Sequence, residues 1–279
     1  MLKDGDDGQP HKQGAKGEEE SSMKLQLPDG LYRIMAAAYR CPAFDGTCGG
    51  VMRWNPESGH IPRGYVGASH NLSDVRLVVC MAEPGNPRAD EWYDVEDASQ
   101  AIQQVLSGVS GAITEGASAF HRNLRFILDC CWPGVPLTEQ LQQPWITETT
   151  LCSAPVSTGS ILRKVENECI NRYLKAQLAI FSNPFKLALG RKAESRMRAA
   201  GVVPDFVARA AGLPMGHRVE AEKQWKEAGK AFRIYRKRPE REPKPGRNPS
   251  KGGRYAETQT VGSPCCSQSA MQEVSRGGS

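Results

Sequence analysis

Two short stretches carry residue types that could act on a ligand. Glu83 stands in MAEPGNP, Met81 to Pro87, where an apolar run meets a Pro/Gly turn. His217 stands in GLPMGHRV, beside Gly216 and just ahead of a helical pattern. A carboxylate and an imidazole brought to one site make an acid/base or electrostatic pair. Read singly, a Glu in a strand-end turn is a solvated or capping carboxylate, and a His beside Gly is a surface turn residue. Cysteines are the second source of chemistry, and the chain has nine. Cys41 and Cys48 lie in a loop, Cys152 ends a Thr-rich run, and Cys169 falls inside a helical pattern. Four thiolates from such a set close a tetrahedral zinc site or hold an iron–sulfur cluster. The spacing alone chooses neither, because the chain has no C-x-x-C. Cys80, Cys130 and Cys131 sit on apolar faces and read as small core residues.

The elements around these residues alternate. VRLVVCMA is a continuous apolar run of strand length, rich in Val, as expected of a parallel strand buried on both faces. WITETTLC and FKLALG read as a second and third strand, and AAGLPMGH as a short fourth. Between them fall helical patterns: LYRIMAAAYR, a segment around Ser99–Leu106, Ser118–Cys131, Ile161–Phe181, RKAESRMRAAG and VEAEKQWKEAGKAFRIYRK. Cys41 to Asn71 is Gly/Pro-rich and irregular, and Ser110-Gly111 reads as loop chemistry. Strands alternating with helices predict a three-layer α/β/α sandwich with a central, mostly parallel sheet of about four strands. Ligands bind such sheets at the carboxyl ends of the strands. Glu83, Cys152, Gly190 and His217 all fall at or just after those ends.

Composition narrows the function classes. The chain has 279 residues and a net charge of +5, a mild basicity that suits nucleic acid without requiring it. Residues 1–24 and 237–279 are polar, Gly-rich and charged, and are expected to be disordered tails, the second one basic. That leaves 25–236 as the folded domain. No apolar stretch is long enough for a membrane span and no apolar signal core is present, so a cytoplasmic, nucleoid or nuclear protein without membrane contact is expected. In such a compartment the cysteines are not a disulfide framework. Nucleotide-binding glycine motifs, H-E-x-x-H and G-x-S-x-G are all absent.

Taken together and in order, several stretches over about Leu31 to Tyr235 resemble the uracil-DNA glycosylase superfamily, in particular its iron–sulfur branch. RCPAFDGTCGGVMRWNPESGHIPRGYVGA resembles that family's cysteine-bearing entry into the first core strand. MAEPG takes the place of its first motif, where the residue before Pro handles the attacking water; here that residue is Glu83. WITETTLCSAP is similar to the strand carrying a base-reading Asn and then a cluster cysteine, positions held here by Glu148 and Cys152. Cys169 matches the last cluster ligand. GLPMGHRV, ahead of a Trp-containing helix, is similar to the second motif, whose His hydrogen-bonds the leaving base, giving His217. Two departures stand out. The earlier position of the family's C-x-x-C is Ala38, with Cys41 at the later one and Cys48 as the replacement ligand; and Gly216-His217-Arg218 stands where His-Pro-Ser is usual.

The resemblance implies a DNA base-excision N-glycosylase, acting as a monomer on a flipped-out uracil or related base. Its implied catalytic residues are Glu83 and His217, with Glu148, Trp92 and Tyr93 against the base and a 4Fe-4S cluster on Cys41, Cys48, Cys152 and Cys169. Trp92 and Tyr93 read equally well as packing residues. Arg53, Arg63, Arg191 and Arg218 are the candidate phosphate contacts. Two other readings stay open: a DNA-binding relative without catalysis, and a metal-stabilised α/β interaction module that works through its basic tail.

Overall fold

The computed structural model describes residues 25–154, 161–212 and 217–238. The expected tails lie outside the described residues, apart from Lys237 and Arg238. The chain enters through α1 (Asp29–Ala36), which buries Leu31 and Met35, and continues through two short 3-10 turns that flank Cys41 and a further turn that holds Cys48. It then forms β1 (Val66–Gly67) and β2 (Leu77–Met81), followed by α2 (Ala98–Glu115), α3 (Ala119–Cys131) and the single turn α4 (Leu137–Gln140). Next come β3 (Trp145–Glu148), α5 (Arg163–Cys169), a π-helical turn Ile170–Leu174 and α6 (Lys175–Ala179). β4 (Phe185–Leu189), α7 (Arg191–Ala199), β5 (Phe206–Ala208) and α8 (Arg218–Arg236) complete it.

The architecture is a mixed α/β sandwich around one five-stranded sheet of order β1-β3-β2-β4-β5. β2, β3, β4 and β5 run parallel; β1 alone is antiparallel, on β3. Every residue of β2 and β3 is buried, as the unbroken apolar run of β2 predicts for a strand covered on both sides. In register, Val79 pairs with Ile146 and Leu187, so the central strands finish together at Met81, Glu148 and Leu189. On the helical side, α2 packs on α3 and β1, α3 on α8, and α8 on β4 and β5, while α7 packs on β2, β4 and the π turn. Among the described residues no helix is long and apolar enough to cross a membrane.

Three expectations need correction. The last parallel strand is Phe206–Ala208, upstream of AAGLPMGH; Ala211 and Gly212 form a turn, and 213–216 lie outside the described residues. Its edge position leaves Phe206 and Val207 only half-buried, so it lacks an apolar run. The irregular stretch holds β1, two residues whose pairing is supplied by the neighbouring β3 rather than by their own pattern. Ser110 and Gly111 are helical: α2 runs to Glu115, starting under an Asp97 cap that accepts from the Ser99 N–H at 2.8 Å and ending at left-handed Gly116.

Candidate active site and cysteine cavity

Glu83 follows β2 by two residues, and its turn is tied down from two sides. The Thr149 N–H donates to Met81 O at 2.8 Å, and the Thr149 hydroxyl donates to Ala82 O at 2.7 Å. Arg63 Nη2 and the Ser153 hydroxyl both donate to Gly85 O, at 2.6 and 3.1 Å. Arg63 also donates to Gly59 O and is buried, so it braces the turn and is not available to a phosphate. The Glu83 carboxylate itself is ion-paired at both oxygens: Lys192 Nζ lies 2.8 Å from Oε1 and Arg196 Nη1 lies 2.6 Å from Oε2. Both cations come from α7, whose N-terminus faces the end of β4 through Gly190. Arg196 reaches on to Glu166 of α5 at 2.7 Å and to Ala82 O at 2.6 Å. The sequence reading missed this arginine. Its signal is position: Arg196 falls between Ala193 and Met197, on the stripe that α7 buries.

Glu148, the last residue of β3, pairs with Met81 in register and so stands next to the start of the Glu83 turn. It is 4% exposed, and its Oε2 has no hydrogen-bond partner. Burial pushes its carboxyl up to about 8, and the nearby Glu83 charge pushes the same way; Arg196 and Arg63 oppose them. Gly64, at φ +83°, makes the room: a Cβ there would come within 2.6 Å of Glu148 Cγ.

Glu83, Glu148, Trp92 and Tyr93 all line one pocket of about 780 Å³ at the carboxyl ends of the strands. Trp92 is 66% exposed, whereas Tyr93 is buried with its hydroxyl donating to Glu91 at 2.6 Å. Trp92 therefore keeps a free ring and Tyr93 serves as wall. His217 is not in the pocket lining; it is an exposed residue preceding α8. The pocket instead contains an unanticipated imidazole, His121, with its neighbour Phe120. His121 Nδ1 lies 2.9 Å from the Ser118 hydroxyl that caps α3, and burial lowers its basicity below the ordinary histidine value. A Ser three residues before a His at a helix start is the sequence signal. Of the remaining arginines, Arg191 is 92% exposed and pairs with Glu194, and Arg218 pairs with Glu222. Arg53 donates its backbone N–H to Ser153 O.

Behind the Glu83 turn lies a second, small cavity lined by Cys41, Cys48, Cys152 and Cys169, with Ala38 beside them. These cysteines arrive from the entry turns, from the segment after β3 and from the end of α5, where the π turn begins. All four are free thiols. Burial raises the Cys152 thiol well above its usual range, and the thiols of Cys169, Cys41 and Cys48 add to the effect. Cys169 is pushed up to about 12, chiefly by burial. The same two causes, burial and then Cys41, raise Cys48. Crowded buried thiols of this kind lose their protons together only when a cation balances them. Among the described residues, no group of three or more His, Cys, Asp or Glu is disposed to hold a metal ion.

Neither models of known protein families nor curated protein sequences match this chain. The functional reading therefore stands on geometry: two acids at neighbouring strand ends, one ion-paired and one buried without a partner, over a pocket with an aromatic rim.

Proposed function

We propose that the protein is a DNA base-excision N-glycosylase that takes a flipped-out damaged or deaminated base. The observation that carries the reading is the shared pocket of Glu83 and Glu148 at the ends of adjacent parallel strands. A base inside a duplex is shielded by stacking, so such an enzyme needs a cavity deep enough for one extruded nucleotide. Trp92 on the rim offers a face for stacking, while Arg88, at the same pocket, is already held by Asp90 at 2.8 Å. As the glycosidic bond stretches, the sugar becomes positive and the base negative. Glu83, paired to Lys192 and Arg196, sits where a carboxylate can oppose the sugar charge and orient water. Glu148 faces the base edge, and His121, which lines this pocket where His217 does not, is the candidate donor to the leaving base.

A 4Fe-4S cluster on the four cysteines that line the small cavity is part of the same proposal. Each iron of a cluster takes its own thiolate, so the ligands surround a volume rather than converge on one point. Cys41, Cys48, Cys152 and Cys169 would hold it, with a structural role: joining the entry turns to α5.

The test is release of free base from oligonucleotides carrying uracil, hypoxanthine, xanthine or a mismatch. Wild-type release that Glu83→Gln and His121→Ala each reduce sharply is the expected result; unchanged release in both variants removes the site assignment. One observation favours a DNA-binding relative without catalysis: both Glu83 oxygens are already paired. Tight binding of a lesion oligonucleotide with no release of base would select that alternative.

A further inference from the structure

The pocket wall on α3 begins with Ser118, Phe120 and His121. Ser118 is the N-cap of α3, and His121 is the third residue of that helix. A capping serine ordinarily uses its oxygen to accept from a backbone N–H of the first turn. Here that bond is long, His121 N to Ser118 Oγ at 3.4 Å. The shorter contact goes to the ring: Ser118 Oγ lies 2.9 Å from His121 Nδ1. The hydroxyl is thus better placed for the imidazole than for the helix. Two further contacts hold this part of the wall. The Phe120 ring meets the imidazole edge-on, with centroids 5.1 Å apart. Asn123, buried two residues further on, donates to Ala211 O at 2.7 Å. That bond ties α3 to the turn after β5, whose Ala211 and Gly212 also line the pocket. Among the described residues, no protein group bonds the other ring nitrogen of His121, Nε2.

We infer that Ser118 is a positioning residue: its hydroxyl donates to His121 Nδ1 and fixes the imidazole in the tautomer that carries its hydrogen on Nε2, the nitrogen left open to a ligand. A neutral imidazole has one N–H, and the hydrogen bond made at one nitrogen decides which of the two carries it. A hydroxyl can donate or accept, and the backbone tips the choice. Ser118 Oγ already accepts from the His121 N–H, so its own proton is directed to the lone pair of Nδ1. The ring must be neutral for this. Burial lowers its basicity; Glu91 opposes that shift and Arg88 supports it. The first turn of α3 holds no acid, so the positive end of the helix dipole also disfavours an imidazolium. His121 then presents a donor without a positive charge. Such a donor stabilises a transition state in which negative charge grows on the departing group. The inference rests on the glycosylase reading only in naming that group as the leaving base; the tautomer belongs to the protein alone.

The tautomer is read by NMR from the nitrogen shifts of the His121 ring, assigned with a His121→Gln protein, at about pH 8.5, well above the ordinary histidine value. Wild type should carry its hydrogen on Nε2. Ser118→Asp supplies the contrast. Aspartate caps a helix as well as serine does, but its carboxylate only accepts, so it draws the hydrogen to Nδ1. The melting temperature of Ser118→Asp should match wild type while its release of base falls about a hundredfold. Ser118→Ala should also lose release, and Ser118→Thr, which keeps the hydroxyl, should restore both tautomer and rate. A wild-type hydrogen on Nδ1 overturns the inference and leaves the glycosylase reading intact. So does a Ser118→Asp protein whose hydrogen stays on Nε2, or one whose hydrogen moves to Nδ1 while release is undiminished. Wild type that carries its hydrogen on Nε2 yet releases no base from any lesion overturns the glycosylase reading and supports the assignment of Ser118.

Discussion

Arg196 and Glu83 form a buried ion pair, Nη1 to Oε2 at 2.6 Å, and the same guanidinium holds Glu166 through its other edge at 2.7 Å. One side chain of α7 thus fixes the turn after β2 relative to α5. Arg196 is 2% exposed, and its Nη1 also donates to Ala82 O. The planar fork of an arginine suits this double duty, which a lysine cannot reproduce.

Removing that cation strands two carboxylates, one of them well buried. Arg196→Ala is expected to lower stability by about 3–5 kcal/mol, measured by urea unfolding. Arg196→Lys should recover part of the loss but not the orientation of Glu83, so base release should fall further in it than stability does.

Glu148 sets a pH dependence whose sign is fixed. Its folded-state value, about 8, lies above the ordinary 4.5, mainly through burial. Between those values the folded chain keeps a proton that the unfolded chain gives up, so stability falls as pH rises through the window. Glu148→Gln carries no such burden. Its advantage over wild type should be small near about pH 4 and grow to roughly 3–5 kcal/mol at about pH 9. A gap that does not change with pH would contradict the buried, neutral carboxyl.

The cysteine cavity predicts colour and iron. Protein purified without oxygen should show the broad visible absorption of an iron–sulfur cluster, and Cys152→Ser should lose both the absorption and the iron. Zinc in place of iron would point instead to a metal-stabilised interaction module. A chelator that strips the metal should lower the melting temperature, because the ligands come from three separate segments of the chain.

Trp92 is exposed enough to be tested without disturbing the core. Trp92→Ala should weaken binding of single-stranded DNA by about 1–3 kcal/mol, the cost of losing one stacked base, while leaving the unfolding midpoint unchanged. Tyr93→Ala should do the reverse, because that ring is buried and its hydroxyl is bonded to Glu91.

Strong local patterns made part of this molecule readable. Val78, Val79 and Cys80 form an apolar run that only a doubly covered strand needs, and the sheet buries all of β2. The helix expected over Ile161–Phe181 is present, although a π turn after Cys169 interrupts it. The placement of Glu83 at a strand end followed from the alternation alone, whereas the run WITETTLC puts Glu148 inside a strand that in fact ends at it. What could not be read depends on partners far along the chain. β1 has two residues and takes its register from β3. α2 runs well past the expected segment because Gly108, Ser110 and Gly111 weaken the local helical signal although Ile113 beyond them is buried. Arg196 looks like one more surface charge until Glu83 and Glu166 arrive from elsewhere. His121 reads as the solvent side of an amphipathic helix, yet the turn after β5 closes a pocket over it.

Cys152 and Ser153 are consecutive, yet they serve different cavities. Cys152 lines the thiol cavity, and the Ser153 hydroxyl shares Gly85 O with Arg63 in the turn that presents Glu83. One peptide unit thus separates a wall residue of the thiol cavity from a brace of the Glu83 turn. Oxidation or nicking at this seam would therefore be inherited by both, and a protease or oxidant that reached residues 151–153 would silence the pocket without touching any group that lines it.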